Sequence, residues 1–204
     1  MKHIHHIAHC ALGLLALTSC ISSQSYVDPQ FRQASIEELT RPASPHRVAL
    51  AVEFQRNGAP LPAADGELRS AVVAALEKTG LATVVSSGEE LTLHVVGNNI
   101  ADMAAATRRG FATGLTLGLA GTNVVDLYEF NLSITGGGHD TQRAYKHAIH
   151  TRVGAGPAPV SGVEPSANGR AFPQVVEDIV VNFLRDLQAA KQLTLRRHHT
   201  RPIA

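Results

Sequence analysis

His147 and His150 are the first residues to test for chemistry, because two imidazoles close in sequence are a common start to a metal site. Their segment, Arg143 to Val153, reads as a strand, and a spacing of three sends two strand side chains to opposite faces. The pair cannot share an ion without help from elsewhere. His94 and His139 would join them only through tertiary contacts. Gly136-Gly137-Gly138 could pass for a phosphate loop, but no helix follows whose N-terminal amides would hold an anion. A hairpin turn is the better reading. No Gly-x-Ser-x-Gly elbow occurs, and no carboxylate pair stands apart from ordinary surface acids. The residues therefore predict no catalytic constellation, no metal set and no dissociable cofactor. A hydrolase stays as a third reading without a motif, since spacing alone does not exclude a triad assembled from distant positions.

The remaining reactive side chain is the thiol, and there are two, Cys10 and Cys20. Lys2 is the only formally charged residue before Cys20, and Ala8 to Leu17 is an apolar stretch rich in Leu and Ala. That stretch has the length of a signal-peptide core and is too short to span a bilayer, which takes about 20 residues. Leu17-Thr18-Ser19-Cys20 resembles the lipobox of bacterial lipoprotein signal peptides. The resemblance implies removal of residues 1–19 and lipid attachment at Cys20, with diacylglycerol on the thiol and an acyl chain on the new amino terminus. Each buried methylene contributes about 0.8 kcal/mol, so two or three chains make attachment effectively permanent. Ile21 stands where Asp would signal retention at the inner membrane. The implied location is the cell envelope: the outer membrane, lipid-anchored, facing the periplasm.

Composition narrows the classes of function. The chain is long enough for one domain with a proper core. A formal net charge of +1 provides no global field for nucleic acid. No cysteine follows Cys20, so the domain has no internal disulfide. Tryptophan is absent and aromatics make up 4%, which argues against a platform for stacking sugars.

The elements must then be placed. Residues 20–46, with Ser22, Ser23 and Ser25 and prolines at 29, 42 and 45, read as a lipidated N-terminus and flexible tether. Ser35 and Glu38 make a capping box within it. Arg47 to Gln55 alternates as a strand. Asp65 is placed to cap a helix with Leu68, Val72 and Leu76 on one stripe and Gly80 as its C-terminal glycine. Leu81 to Val85 and Leu91 to Val96 read as strands of a hairpin turning at Ser86-Ser87-Gly88-Glu89. Val124 to Ile134 and Arg143 to Val153 make a second hairpin, and residues 154–170 a loop. A last helix starts near Pro173 and carries Val175, Val176, Ile179, Val180, Phe183, Leu184 and Leu187.

The expected fold is an α/β (α+β) two-layer sandwich, a sheet of about five strands with two helices on one face. Its order is β-α-β-β, a Gly-rich apolar segment, then β-β-α. One periplasmic domain covers residues 47–190, and a basic tail covers 191–204. The order of elements resembles that of small periplasmic envelope lipoproteins, among them envelope-assembly and penicillin-binding-protein activator lipoproteins.

Residues 110–121 carry no charge. As a helix they put Gly110, Gly114 and Gly118 on one ridge that permits close backbone approach. As a strand they put Leu115, Leu117 and Leu119 on one face. A buried segment, a surface for self-association or a partner, and membrane contact all stay open. Pairing with the next strand would give an apolar hairpin, an arrangement similar to that of the curli-secretion channel lipoproteins. The tail holds Arg196 and Arg197 among further basic residues and no acid, as a solvated end or a contact for anionic polymers. The expected function is a non-enzymatic lipoprotein whose domain binds another envelope component as an adaptor or assembly factor. The alternative is an oligomeric, channel-like lipoprotein using residues 110–134.

Overall fold

The computed structural model describes residues 22–101 and 121–193. In chain order the elements are β1 (Ser23–Val27), β2 (His46–Arg56), β3 (Ala59–Pro60), α1 (Asp65–Thr79), β4 (Ala82–Val84), β5 (Leu91–Ile100), β6 (Thr122–Gly136), β7 (His139–Val153) and α2 (Ala171–Ala189). The strands form one seven-stranded sheet in the order β1-β7-β6-β5-β2-β3, with β4 also pairing with β2.

The expected five strands and two helices are present, and both helices pack on one face. Leu76 of α1 and Phe183 and Leu184 of α2 meet Val48, Leu93 and Ile134 around one small cavity. Strand alternation makes that face. In β6, Phe130, Leu132 and Ile134 are buried, while Asn131 and Thr135 between and beyond them are exposed. Each fully buried Phe or Leu contributes about 1.5–3 kcal/mol. Gly97 of β5 lies opposite Phe130 in the register, and a Cβ there would come 2.9 Å from the Phe130 ring. The missing side chain is what leaves room for the ring over β5.

The sheet exceeds five strands because the segment expected as a tether adds β1, and the turn after β2 adds the two-residue β3, paired with Gln55 and Arg56. β1 pairs antiparallel with β7, with Ser23 opposite Val153 and Val27 opposite Ile149. After it, Ala34 and Leu39 are buried, and two short 3-10 turns, Pro29–Phe31 and Ile36–Glu38, shape the path. Serine and proline composition hid this, because an edge strand is held by backbone hydrogen bonds that any residue with an N–H and a C=O supplies. Glu38 Oε1 does accept the Ser35 N–H at 3.0 Å, as the capping box requires.

The first hairpin is not formed. β4 and β5 both run parallel to β2, with Ala82 opposite His46 and Leu91 opposite Val48. The Val85 N–H donates to Val48 O, and the Glu90 N–H to Arg47 O. Neighbouring carbonyls of a strand point to opposite edges, so residues 85–90 pass around the end of β2 instead of turning back. The second hairpin is formed, with Gly136 opposite His139 and φ of 59° at Gly137 and 86° at Gly138. Two positive φ values in a two-residue loop match a type I′ turn.

Asp65 is the first residue of α1 and not its cap. Its Oδ1 accepts the Phe54 N–H at 2.7 Å, tying the helix start to the end of β2. Gly80 closes α1 in the left-handed conformation, φ 68°, its N–H reaching Leu76 O and Glu77 O. Among the described residues no helix is long and apolar enough to cross a membrane, which says nothing of strands.

Candidate functional site

The strap of residues 28–41 is bound to α2 through side chains one turn apart. Arg32 Nε donates to Asp178 Oδ1 at 2.8 Å. Asn182 accepts the Gln33 N–H at 3.1 Å and donates to Phe31 O at 3.0 Å. Arg185 donates to Gln33 O, and Gln188 exchanges two hydrogen bonds with the Thr40 backbone. Positions 178, 182, 185 and 188 fall on one face of a helix. These polar side chains satisfy a strap that lacks a ladder of its own.

Asp178 has a second partner. His147 Nε2 lies 3.3 Å from its Oδ2, and the imidazole packs beside Phe31 with centroids 5.4 Å apart. An acid beside an imidazole suggests general base catalysis, but the His147 side chain is wholly buried. A ring sealed from solvent meets no substrate, so the pair works as a brace between β7, α2 and the strap. His150 faces the other way, as its spacing predicts, and its Nε2 contacts Asp28 Oδ2 at 3.0 Å. Burial alone would raise the Asp28 carboxyl, but hydrogen bonds from His150 and Gln30 outweigh it and hold the group below its ordinary 3.8. His94 is exposed on β5 and His139 sits at the start of β7. Among the described residues no three His, Cys, Asp or Glu side chains are grouped to hold a metal.

Several concavities lie among the described residues; one of about 610 Å³ is lined by Thr40, Arg41, His46, Leu81 and Gln188 at the far end of α2, and two others flank the helices. A groove of about 570 Å³ runs between α1 and α2 under the strap. Its floor is Ala71, Ala74 and Ala75, and its walls carry Arg32, Lys78, Arg170, Glu37, Glu177 and Asp178. Lys78 Nζ bridges the helices to Glu177 Oε1 at 2.6 Å. Short alanines keep the groove open, and charges of both signs line it. A smaller cleft of about 270 Å³ lies at the end of β2 against the start of α2. Phe54 meets Phe172 edge to face at 5.7 Å, and Tyr128 lies 5.6 Å from the same ring. Burial, with Asp126 and Glu67 nearby, pushes the Tyr128 hydroxyl well above its usual value, so it stays a neutral donor. In the groove, the Ser35 side chain hydrogen-bonds the Glu37 carboxylate at the start of the second 3-10 turn.

The residues singled out from sequence lie elsewhere. Cys20, the glycine and leucine positions Gly110, Gly114, Leu115, Leu117, Gly118 and Leu119, and the tail residues Arg196 and Arg197 all fall outside the described residues. Sequence reasoning missed Asp178 and Asn182. Their signal was present: two polar residues four apart, set into the apolar stripe of the last helix between Val175 and Phe183.

No family model matches the sequence, and no curated protein matches it. Among solved structures, the fold is similar to a minor lipoprotein from Acinetobacter baumannii, at 13% identity over 74% of this chain and 96% of that one, with a TM-score of 0.39. It is also similar to a putative neuraminyllactose-binding hemagglutinin homolog from Helicobacter pylori, at 14% identity over 79% and 96%, TM-score 0.35. A third is a PelC dodecamer from Paraburkholderia phytofirmans, at 12% identity over 80% and 96%, TM-score 0.33. Likenesses this distant carry no argument about activity, ligand or assembly.

Proposed function

We propose that this is a non-enzymatic envelope lipoprotein, anchored through acylated Cys20 to the periplasmic face of the outer membrane, whose domain binds another envelope protein as an adaptor or assembly factor. The groove between α1 and α2 carries this reading. It is open, floored by alanine and lined by charges of both signs, features that suit a polar peptide segment. The Leu17-Thr18-Ser19-Cys20 motif supports the anchor.

The test is the mass and composition of the detergent-extracted native complex, with Ala74→Trp as the groove-filling variant. Ala74 is exposed on α1, so the indole enters the groove without disturbing the core. A stoichiometric foreign protein that is lost in Ala74→Trp supports the adaptor. A lone monomer in both proteins sinks it.

The channel-like oligomer is the second reading, and one observation favours it. β6 begins at Thr122, but β5 pairs with it only from Leu127 onward. Residues 122–126 thus present a strand edge with no partner strand among the described residues, directly after the uncharged stretch 110–121. A large homo-oligomer disrupted by Gly114→Val or Gly118→Val would favour it over the adaptor.

A further inference from the structure

We infer that the end of the sheet carrying Ser23, Thr122 and Val153 rests on the bilayer surface, with Val125 and Leu127 on the open face as its lipid contact. This rests on the lipid anchor proposed above and adds the orientation of the domain.

The first observation is the length of chain between anchor and fold. β1 starts at Ser23, three residues after Cys20, and is paired from its first residue. An extended chain gains at most about 3.6 Å per residue, so the first sheet residue lies within roughly 11 Å of the acylated position. That reach exceeds a headgroup layer of about 5–8 Å per leaflet by only a few ångströms. The composition of residues 20–46 suggested a domain standing off the membrane, and the pairing of β1 removes that slack.

Register then says which part of the sheet is brought down. Ser23 is opposite Val153, and Val153 is opposite Thr122, so the beginnings of β1 and β6 and the end of β7 share one edge of the domain. The far end of the same strands holds Gly136 and His139.

The second observation is where apolar surface is left uncovered. Val125 is 38% exposed and Leu127 is 47% exposed, and they are the exposed large hydrophobic side chains among the described residues. Both sit on β6 on the face opposite the helices. At about 3.3 Å per residue they lie roughly 10 and 17 Å from the Thr122 end. Farther along that face the same parity gives Glu129, paired with Lys146, and then Asn131, Ser133 and Thr135. Apolar exposure is thus confined to the anchored half. Asn123, one step nearer the edge, is opposite Arg152, whose Nη1 is fixed by Gly156 O at 2.6 Å and whose Nη2 donates to Gln24. A cation held at that level suits the phosphates of lipid headgroups.

The test uses the full-length acylated protein with one thiol-reactive fluorophore on Val125→Cys, Leu127→Cys or His94→Cys. No other thiol interferes, since Cys20 is blocked by lipid and Cys10 leaves with the leader. His94 is exposed on the same face, opposite Ser133, at the far half of the sheet. The proteins are reconstituted in vesicles of phosphatidylethanolamine and phosphatidylglycerol carrying a headgroup nitroxide quencher. The orientation predicts quenching severalfold stronger at 125 and 127 than at 94. Equal quenching at all three positions, in protein that still floats with the vesicles, overturns the orientation and leaves the anchor standing. Weak quenching at 125 with strong self-quenching between labelled copies assigns the patch to a second copy and also overturns it. The anchor is scored separately: if Cys20→Ala floats as well as the native protein, the anchor fails and the orientation falls with it.

Discussion

Phe130 and Asn131 are neighbours on β6, and they live in different solvents. Phe130 has no exposed surface and lies over Gly97 beneath the helices, while Asn131 points into the open on the other face. The helix face is closed by apolar packing and by a polar seam in which Asp178 and Asn182 serve the strap. The opposite face carries polar residues along the far half of β6 and exposed Val125 and Leu127 nearer the anchored edge, with Tyr26 and Ala148 beside them buried apart from the main core. The contrast teaches that stability is concentrated on one side and that the other is free to be an interacting surface.

The sharpest way to break that contrast is to truncate the two neighbours. Phe130→Ala should cost about 3–5 kcal/mol, and Asn131→Ala no more than about 0.5 kcal/mol, read from urea unfolding midpoints. Comparable losses at both positions would mean that the open face is not open. Next in size is the seam. Asp178→Ala removes the partner of both Arg32 and His147 and should cost about 2–3 kcal/mol. Because the strap is held there, it should also speed proteolysis within residues 28–41 well before the helices are cut, as peptide mapping would reveal.

A third effect is a pH dependence. The folded Asp28 carboxyl sits below its ordinary 3.8, so its contribution is present above that value and is lost as pH falls through the folded one. The unfolded chain takes up the proton first. Asp28→Asn should therefore be less stable than the native protein at neutral pH and converge with it in acid, which a series of unfolding curves at falling pH checks. The smallest expected effect is on the open face. Val125→Asn and Leu127→Asn should each shift the stability of detergent-solubilised protein by less than about 0.5 kcal/mol. A larger loss would make them core residues and erase the contrast.

The two hairpin signals separate what was legible from what was not. Gly136 to Asp140 could only turn, since two successive positive φ values admit little else, and the neighbouring strands alternate cleanly. Ser86 to Glu89 carries a similar signal, yet the chain crosses the end of β2 there. A turn signal marks where the chain leaves a strand. It does not say which neighbour the next strand will find.

From sequence alone came the class of fold, both helices with their buried stripes, the five principal strands, and the expectation that His147 and His150 lie on opposite faces of their strand. Each is fixed by local periodicity, because burial on one face repeats every second residue in a strand and about every 3.6 in a helix. Only the tertiary structure decided that residues 23–27 become an edge strand, that β4 and β5 flank β2 on opposite edges, and that Asp178 joins three elements. These depend on pairing between residues far apart in the chain, through backbone groups common to every residue or through single polar contacts, and neither leaves a period to read.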